Sequence, residues 1–439
     1  MKTRWIFLSL LLLISHSAAR GQVVYSIKDC ITIGLERNFS IRIAKNSETI
    51  SSNNYTLGNA GFLPSLDFIS SYGGALNNTT QNLRVGGQTV TNGVKSTSAN
   101  AGASLGWTIF KGFNVLTTYK KLNELKQIGI LNTQLTIENY VASLLSVYYG
   151  YTQQVQLVKN LRYAVTLSRE RLRIDEERYF LGASSKLQVL QSRVYLNADS
   201  SKLSGQVENL RATQIRLNEL MAVKDMGMQF ILKDSTIEVK PDLFYEKLLD
   251  ETLISNTALM IAAKNKIISE YDYKLVISRA YPYLNLSTGY NYGISTLSTS
   301  SNRNQITNGL NYGMTLGVNI FDGFNTRRSI MNSAIEIKNK ELSYSEIEQG
   351  IKADLLTIYS AYSNNLRLIK LEEQNLETAT ENLSIALEKY KLGNLSGIDL
   401  REVQKSLLDA KESLLSIQYQ AKLAEISLFQ ISGKIMNYY

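Results

Sequence analysis

Histidine, cysteine and proline are nearly missing from this 439-residue chain, which holds one His, one Cys and three Pro. The single histidine, His16, lies in a stretch expected to be removed. Lys2 and Arg4 precede an apolar run from Trp5 to Ile14, and small residues follow. That is the pattern of a secretory signal peptide over 1–21, cleaved after Gly21 with Ala19 and Gly21 in the small positions. The expected mature chain has no histidine, which excludes His-ligated metal, a Ser-His-Asp triad and a Cys-His pair. Cys30 has no second cysteine to pair with. It is read as a small apolar residue on a helix face, and no lipobox-like run precedes it. Long apolar runs are missing after the signal segment, so no transmembrane helix is expected. Nor does any phosphate-binding glycine loop precede a helix; Gly86 and Gly87 sit in a polar stretch. These absences speak against an enzyme, a metal site and a bound cofactor.

Charge is spread rather than clustered. The chain carries 47 basic and 38 acidic residues, a net +9. Lys2, Arg4 and Arg20 leave with the signal segment, so the mature balance is 47 − 3 = 44 against 38, or +6. Acidic residues alternate with the basic ones, as on solvated helix faces and unlike a nucleic-acid surface.

The scarcity of proline carries positive information. Pro64, Pro241 and Pro282 are the only ones, and proline breaks helix interiors. Very long helices are therefore permitted. Ile347, Ile351, Leu355, Ile358, Tyr362, Leu366 and Ile369 form one helical stripe. The helical pattern runs from Asn325 to Leu392 and, in the first half, from Asn114 to Leu181. At 1.5 Å per residue, ~67 residues make a rod of about 100 Å. Gly182 and Gly393 read as C-cap glycines. Shorter helices return over 185–221 and 398–431.

The chain repeats itself. WTIFKGFN at Trp107 recurs as VNIFDGFN at Val318, and Phe110 and Phe321 stand 321 − 110 = 211 positions apart. RYFLG ending at Gly182 recurs as KYKLG ending at Gly393 with the same offset. Each copy reads helix, two strands, long helix with a return: 22–240 for the first repeat and 241–439 for the second. A unit that cannot bury its apolar face alone needs neighbours.

The strand segments alternate with period two. Leu284, Leu286, Thr288, Tyr290 and Tyr292 interleave with Asn285, Ser287, Gly289 and Asn291; Tyr312, Met314, Leu316 and Val318 interleave with Gly313, Thr315 and Gly317. Ala101, Ala103, Leu105 and Trp107 do the same against Gly102, Ser104 and Gly106. Strands of ~9–11 residues, apolar outward and small-polar inward, mark an outer-membrane β-barrel with a wet lumen. The two connections between strands, near 74–100 and 293–309, read as polar surface loops. Four strands cannot close a barrel, whose minimum is about eight, and open edges are not tolerated in lipid. Two, three or four chains must then share one barrel. A different class of reading also fits the pattern: a secreted helical structural or adhesive protein whose strands form a soluble cap.

Four features together resemble the TolC family of outer-membrane efflux proteins over essentially the whole mature chain. They are the duplication, a proline before the first strand of each half, the FKGFN and FDGFN turns from strand into long helix, and the Tyr-x-x-Gly helix ends at Tyr179–Gly182 and Tyr390–Gly393. The resemblance implies an α+β membrane protein: a homotrimer whose shared 12-stranded outer-membrane β-barrel continues into a long periplasmic α-helical barrel. It implies a passive exit duct in the outer membrane of a Gram-negative bacterium, one part of a tripartite efflux or secretion system. The partners would be a periplasmic adaptor (membrane fusion) protein and an inner-membrane pump, proton-driven or ATP-driven. The connector over 222–256 matches the region that belts the family's tunnel and looks reduced here. Leu181, Gly182, Ala183 and Ser184, with Leu392, Gly393, Asn394 and Leu395, would be the tips that dock the adaptor. Asp399 and Glu402 match the two acidic residues that constrict the tunnel, and Tyr390 the gate-linking tyrosine. Leu395 stands where the family can carry an arginine, and Gln188 where it can carry an aspartate. The closed state is therefore expected to rest on hydrogen bonds from Tyr390 and Gln188. The alternative is that Asp399 caps the returning helix, with Glu402 in its first turn.

Overall fold

Where proline is kept out, helix runs unbroken. The computed structural model describes residues 23–234, 236–298 and 304–438, so the expected signal peptide lies outside the described residues. The chain opens with β1 (Val23–Tyr25), α1 (Ile27–Arg37), α2 (Phe39–Asn54) and α3 (Leu57–Ala60). A hairpin of β2 (Ser65–Asn82) and β3 (Gln88–Lys111) leads into α4 (Asn114–Phe180), and α5 (Lys186–Leu220) returns. After the short β4 (Phe230–Leu232) the pattern repeats with α6 (Tyr245–Ser255), α7 (Thr257–Ile277), β5 (Tyr283–Leu297) and β6 (Gln305–Gly317). The long α8 (Asn325–Lys391) and its return α9 (Gly397–Ile431) complete it. Helices α4 and α8 are each 67 residues long. Pro64 and Pro282 immediately precede β2 and β5.

Gly182 and Gly393 end the long helices as their spacing predicts. Both adopt left-handed backbone, with φ of 72° and 85°, a region closed to most side chains. The amide of Gly182 donates to the Tyr179 carbonyl at 3.0 Å and that of Ala183 to the Arg178 carbonyl at 2.7 Å. Gly393 and Asn394 repeat the pair on Tyr390 and Lys389 at 3.0 and 2.8 Å. This pairing satisfies the last carbonyls of each helix.

Three details differ from the sequence expectation. The strands are longer than 9–11 residues: β2 has 18 and β3 has 24. Most of the polar stretch read as a loop between them is paired strand, with Thr79 opposite Thr91 and Thr80 opposite Val90. β-branched residues suit a pleated surface even without an apolar face, and no alternation of hydrophobicity announces them. In the connector, β4 pairs in parallel with β1, which had no period-two signal.

The chain divides into two units, each drawing on both repeats. The sheet unit comprises Ser47–Leu131 and Ile261–Glu346. Its four strands lie in the order β2-β3-β5-β6, all neighbours antiparallel. Register carries the alternation across the sheet. Phe68, Ala103, Tyr290 and Leu310 form one row and Leu66, Leu105, Thr288 and Tyr312 the next. Between them, and so on the opposite face, lies the row of Asp67, Ser104, Gly289 and Asn311. One face is apolar and the other small and polar. Leu66, Phe68, Tyr72, Tyr312, Met314 and Leu316 are largely exposed. The outer strands β2 and β6 have no partner on their free edges among the described residues.

The helical unit comprises the described residues up to Asn46, Asn132–Met260 and those from Ile347 onward. Its largest core joins α1, α4, α5, β4 and α9 through Cys30, Ile31, Leu144, Leu145, Tyr148, Leu217, Phe230 and Ile426. Cys30 is fully buried there, as a small apolar residue would be, and burial pushes its thiol up to about 12. The connector is clasped by α9. Lys422 donates to the Glu238 carbonyl at 2.5 Å and pairs with Glu425 at 3.1 Å, and Glu425 accepts the Lys240 amide at 3.1 Å. A second core of Leu383, Ala386, Tyr390, Leu400 and Leu407 gathers α8 and α9 near their junction.

Candidate functional site at the hairpin tips

The long helices each turn back through a five-residue link, so the ends of α4 and α8 and the starts of α5 and α9 form two hairpin tips. Ser185 caps α5 and accepts the Gln188 amide at 3.3 Å; Ser396 caps α9 and accepts the Asp399 amide at 3.1 Å. Each cap satisfies an amide that has no partner within the helix. Leu181, Gly182 and Ala183 are exposed, as are Leu392, Gly393 and Asn394. Ser184 donates to the Gln188 side chain at 3.4 Å. Leu395 is half-buried against the Tyr390 core.

Tyr390 and Gln188 meet on a residue the sequence reading had not singled out. Asp175, on α4, is fully buried. Its Oδ1 accepts the Tyr390 hydroxyl and, at 3.3 Å, the Gln188 amide; its Oδ2 accepts the Ser192 hydroxyl. Tyr390 comes from the second hairpin and the other three from the first. A buried carboxylate is costly unless its lone pairs are filled, and here three donors converge on it. Burial, then the bond to Asp175, pushes the Tyr390 phenol up to about 12. Arg178 adds a second tie: its guanidinium donates to the Tyr390 carbonyl and, at 3.3 Å, to that of Lys391, and lies 4.9 Å from the Tyr390 ring centre. A cation at those last carbonyls opposes the negative end of the α8 dipole.

About two turns along α5 from Ser192, Arg401 of α9 grips Asp199 through two bonds of 2.7 and 2.8 Å. Burial works to raise the Asp199 carboxyl, but the Arg401 and Ser168 bonds together hold it below its ordinary value. Arg401 and Arg171 both stack on Tyr195, at 5.1 and 4.6 Å.

The two acidic residues expected at the constriction stand apart from this network. Asp399 and Glu402 are both exposed. The Asp399 carboxylate accepts the Ser396 hydroxyl at 2.7 Å, so it takes part in the α9 cap, whose own cap residue is Ser396. Asp175, Ser192, Arg178, Arg171, Asp199 and Arg401 were all missed. The repeat gives Asp175 a place only once the second hairpin's core is known. Its counterpart after the 211-residue offset is Ala386, a core residue, so a carboxylate there is a polar group at a buried position.

The fold matches known proteins. The outer membrane efflux protein family matches residues 31–223 and 248–434. The chain belongs to that family. Outer membrane protein TolC of Vibrio cholerae is 24% identical over 198 residues, 43% of this chain. The match spans 44% of that relative's length, less than half. Among solved structures, the outer membrane protein VceC of Vibrio cholerae superposes with a TM-score of 0.71 at 14% identity, over 93% of this chain and 96% of that one. The CmeC outer membrane channel of Campylobacter jejuni gives 0.73 at 14% identity, over 93% and 86%. The MtrE outer membrane channel of Neisseria gonorrhoeae, in its open state, gives 0.71 at 14% identity, over 93% and 89%. The two-repeat build of long helices and sheet is thus that of an outer membrane efflux protein. No helix among the described residues is long and apolar enough to cross a membrane.

Proposed function

We propose that three copies of this outer membrane efflux protein form a passive exit duct from periplasm to exterior, each copy giving four strands to a shared 12-stranded barrel. The observation that carries the reading is the sheet. Its register stacks apolar residues on one face and Gly, Ser and Asn on the other, and its two outer edges are unpaired. Lipid tolerates neither unpaired backbone nor an open sheet, and copies joined edge to edge remove both faults. Detergent-solubilised protein should have the mass of three chains by mass photometry; a stable soluble monomer without detergent contradicts the reading.

The duct would work with a periplasmic adaptor and an inner-membrane pump. The exposed tips around Gly182 and Gly393 are the surface offered to the adaptor. Gly182→Arg with Gly393→Arg should abolish export while leaving the oligomer and its insertion intact; unchanged export refutes docking there. Between repeats, the Asp175 network with Tyr390, Gln188 and Ser192 serves as the latch that keeps the two hairpins of one copy together, with Arg178 in support. Asp399 and Glu402 are three residues apart and both face solvent, so three copies would place six carboxylates at a cation-selective constriction. The bond from Ser396 to Asp399 favours a second reading, in which Asp399 serves the cap. Recording single channels of the Asp399→Ala, Glu402→Ala double variant separates them: lost cation selectivity supports the constriction, and unchanged selectivity leaves the cap alone.

A further inference from the structure

We propose that the cleft between the two hairpin tips is a binding site for a small oxyanion of phosphate or sulfate type. The cleft holds about 170 Å³ and is lined from both repeats. Arg171 is its source of charge. This guanidinium is only 2% exposed, and its Nε and Nη1 have no hydrogen-bond partner. Buried guanidinium nitrogens without a hydrogen-bond partner are costly. The one beside it is satisfied: Arg401, which shares the Tyr195 ring, is neutralised by two bonds to Asp199. Arg171 feels the charge of Asp175 but has no carboxylate bonded to those two nitrogens. Asp175 lies one turn further along the same helix, but its oxygens are taken by Tyr390, Gln188 and Ser192.

Among the described residues no other charged side chain lines the cleft. The starts of α5 and α9 both border the cleft, at Ser185 and Leu187 and at Ser396 to Ile398. These helices are each 35 residues long, and their first amides precede any intrahelical bond. Two positive helix ends and a guanidinium therefore converge on one small space, an arrangement that suits a tetrahedral anion with donors on several sides. Gln191 closes the rim, exposed and bonded to the Tyr195 hydroxyl at 3.2 Å. The exposed Asp399 carboxylate, three residues after Ser396, accepts the Ser396 hydroxyl. Because Ser185 belongs to one hairpin and Ser396 to the other, a bound anion would tie them. The site needs only the folded tips and not the export reading.

The test is a titration of the full-length, detergent-solubilised protein with inorganic phosphate, at constant ionic strength with chloride as the balancing anion. The thermal midpoint should rise and saturate, by about 2–4 °C. Arg171→Met should abolish the saturating part. Gln191→Glu changes only an exposed rim residue and so keeps the test decisive if Arg171→Met fails to fold. Its added negative charge should raise the half-saturating phosphate concentration about tenfold. A rise that never saturates, or one that Gln191→Glu leaves unchanged, overturns the proposal.

Discussion

Tyr179 and Tyr390 hold the same place in the two repeats, three residues before the glycine that ends each long helix, and meet opposite fates. Tyr179 is 48% exposed and Tyr390 is wholly buried. The difference lies in what surrounds the second tyrosine. The first hairpin supplies a carboxylate, Asp175, where the second has Ala386, and a hydroxyl, Ser192, where the second has Val403. It also supplies Arg178, which reaches the carbonyl ends of α8 where its counterpart Lys389 is exposed. Duplication thus gave two hairpins of one backbone design and then divided their work. One became the acceptor and the clamp, the other the donor. Backbone features such as the left-handed glycine and the serine cap stayed common to both, because each hairpin needs them to turn.

The comparison can be broken most forcefully at Asp175. Asp175→Ala strands three donors in a buried place, and the helical unit should lose about 3 kcal/mol, read by chemical denaturation of the solubilised protein. A loss below about 1 kcal/mol would mean the carboxylate is not the hub. Alkali should act next. A free phenol ionises near 10, whereas buried Tyr390 holds its proton to about 12. Its contribution is complete below pH 10 and is lost as pH rises through 12. Hydrogen exchange at the α8–α9 tip should quicken over that window in the native protein and not in Tyr390→Phe. Arg178→Ala should cost about 1–2 kcal/mol through the freed carbonyls, while Lys389→Ala costs almost nothing; equal costs would erase the asymmetry. The smallest effect should be the shared one. Ser185→Ala and Ser396→Ala each remove a cap and should each cost about 1 kcal/mol, seen as faster exchange in the first turn of α5 or α9.

The features legible in the sequence were those with local cause. Helix ends at Phe180 and Lys391 fall within a residue of the reading because glycine chemistry is local, and β5 and β6 declare themselves by alternation. The tip pairing was legible only in part. Tyr390 and Gln188 were identified and do converge, yet Asp175 was hidden among the charges of α4, since its partner lies 215 residues away. Its role emerges from packing, not spacing. The outer part of the β2–β3 hairpin escaped for a related reason: Thr79 to Asn82 and Gln88 to Thr91 carry no alternation of hydrophobicity, and only their cross-strand register reveals them.

The most direct test of the divided tips is single-channel conductance in planar bilayers for the native protein, Tyr390→Phe and Tyr179→Phe. Removing the Tyr390 hydroxyl takes away the bond to Asp175 that joins the hairpins, so Tyr390→Phe should conduct more and open for longer. Tyr179→Phe should match the native trace. Equal behaviour of the two variants, or a native trace from Tyr390→Phe, would contradict the account.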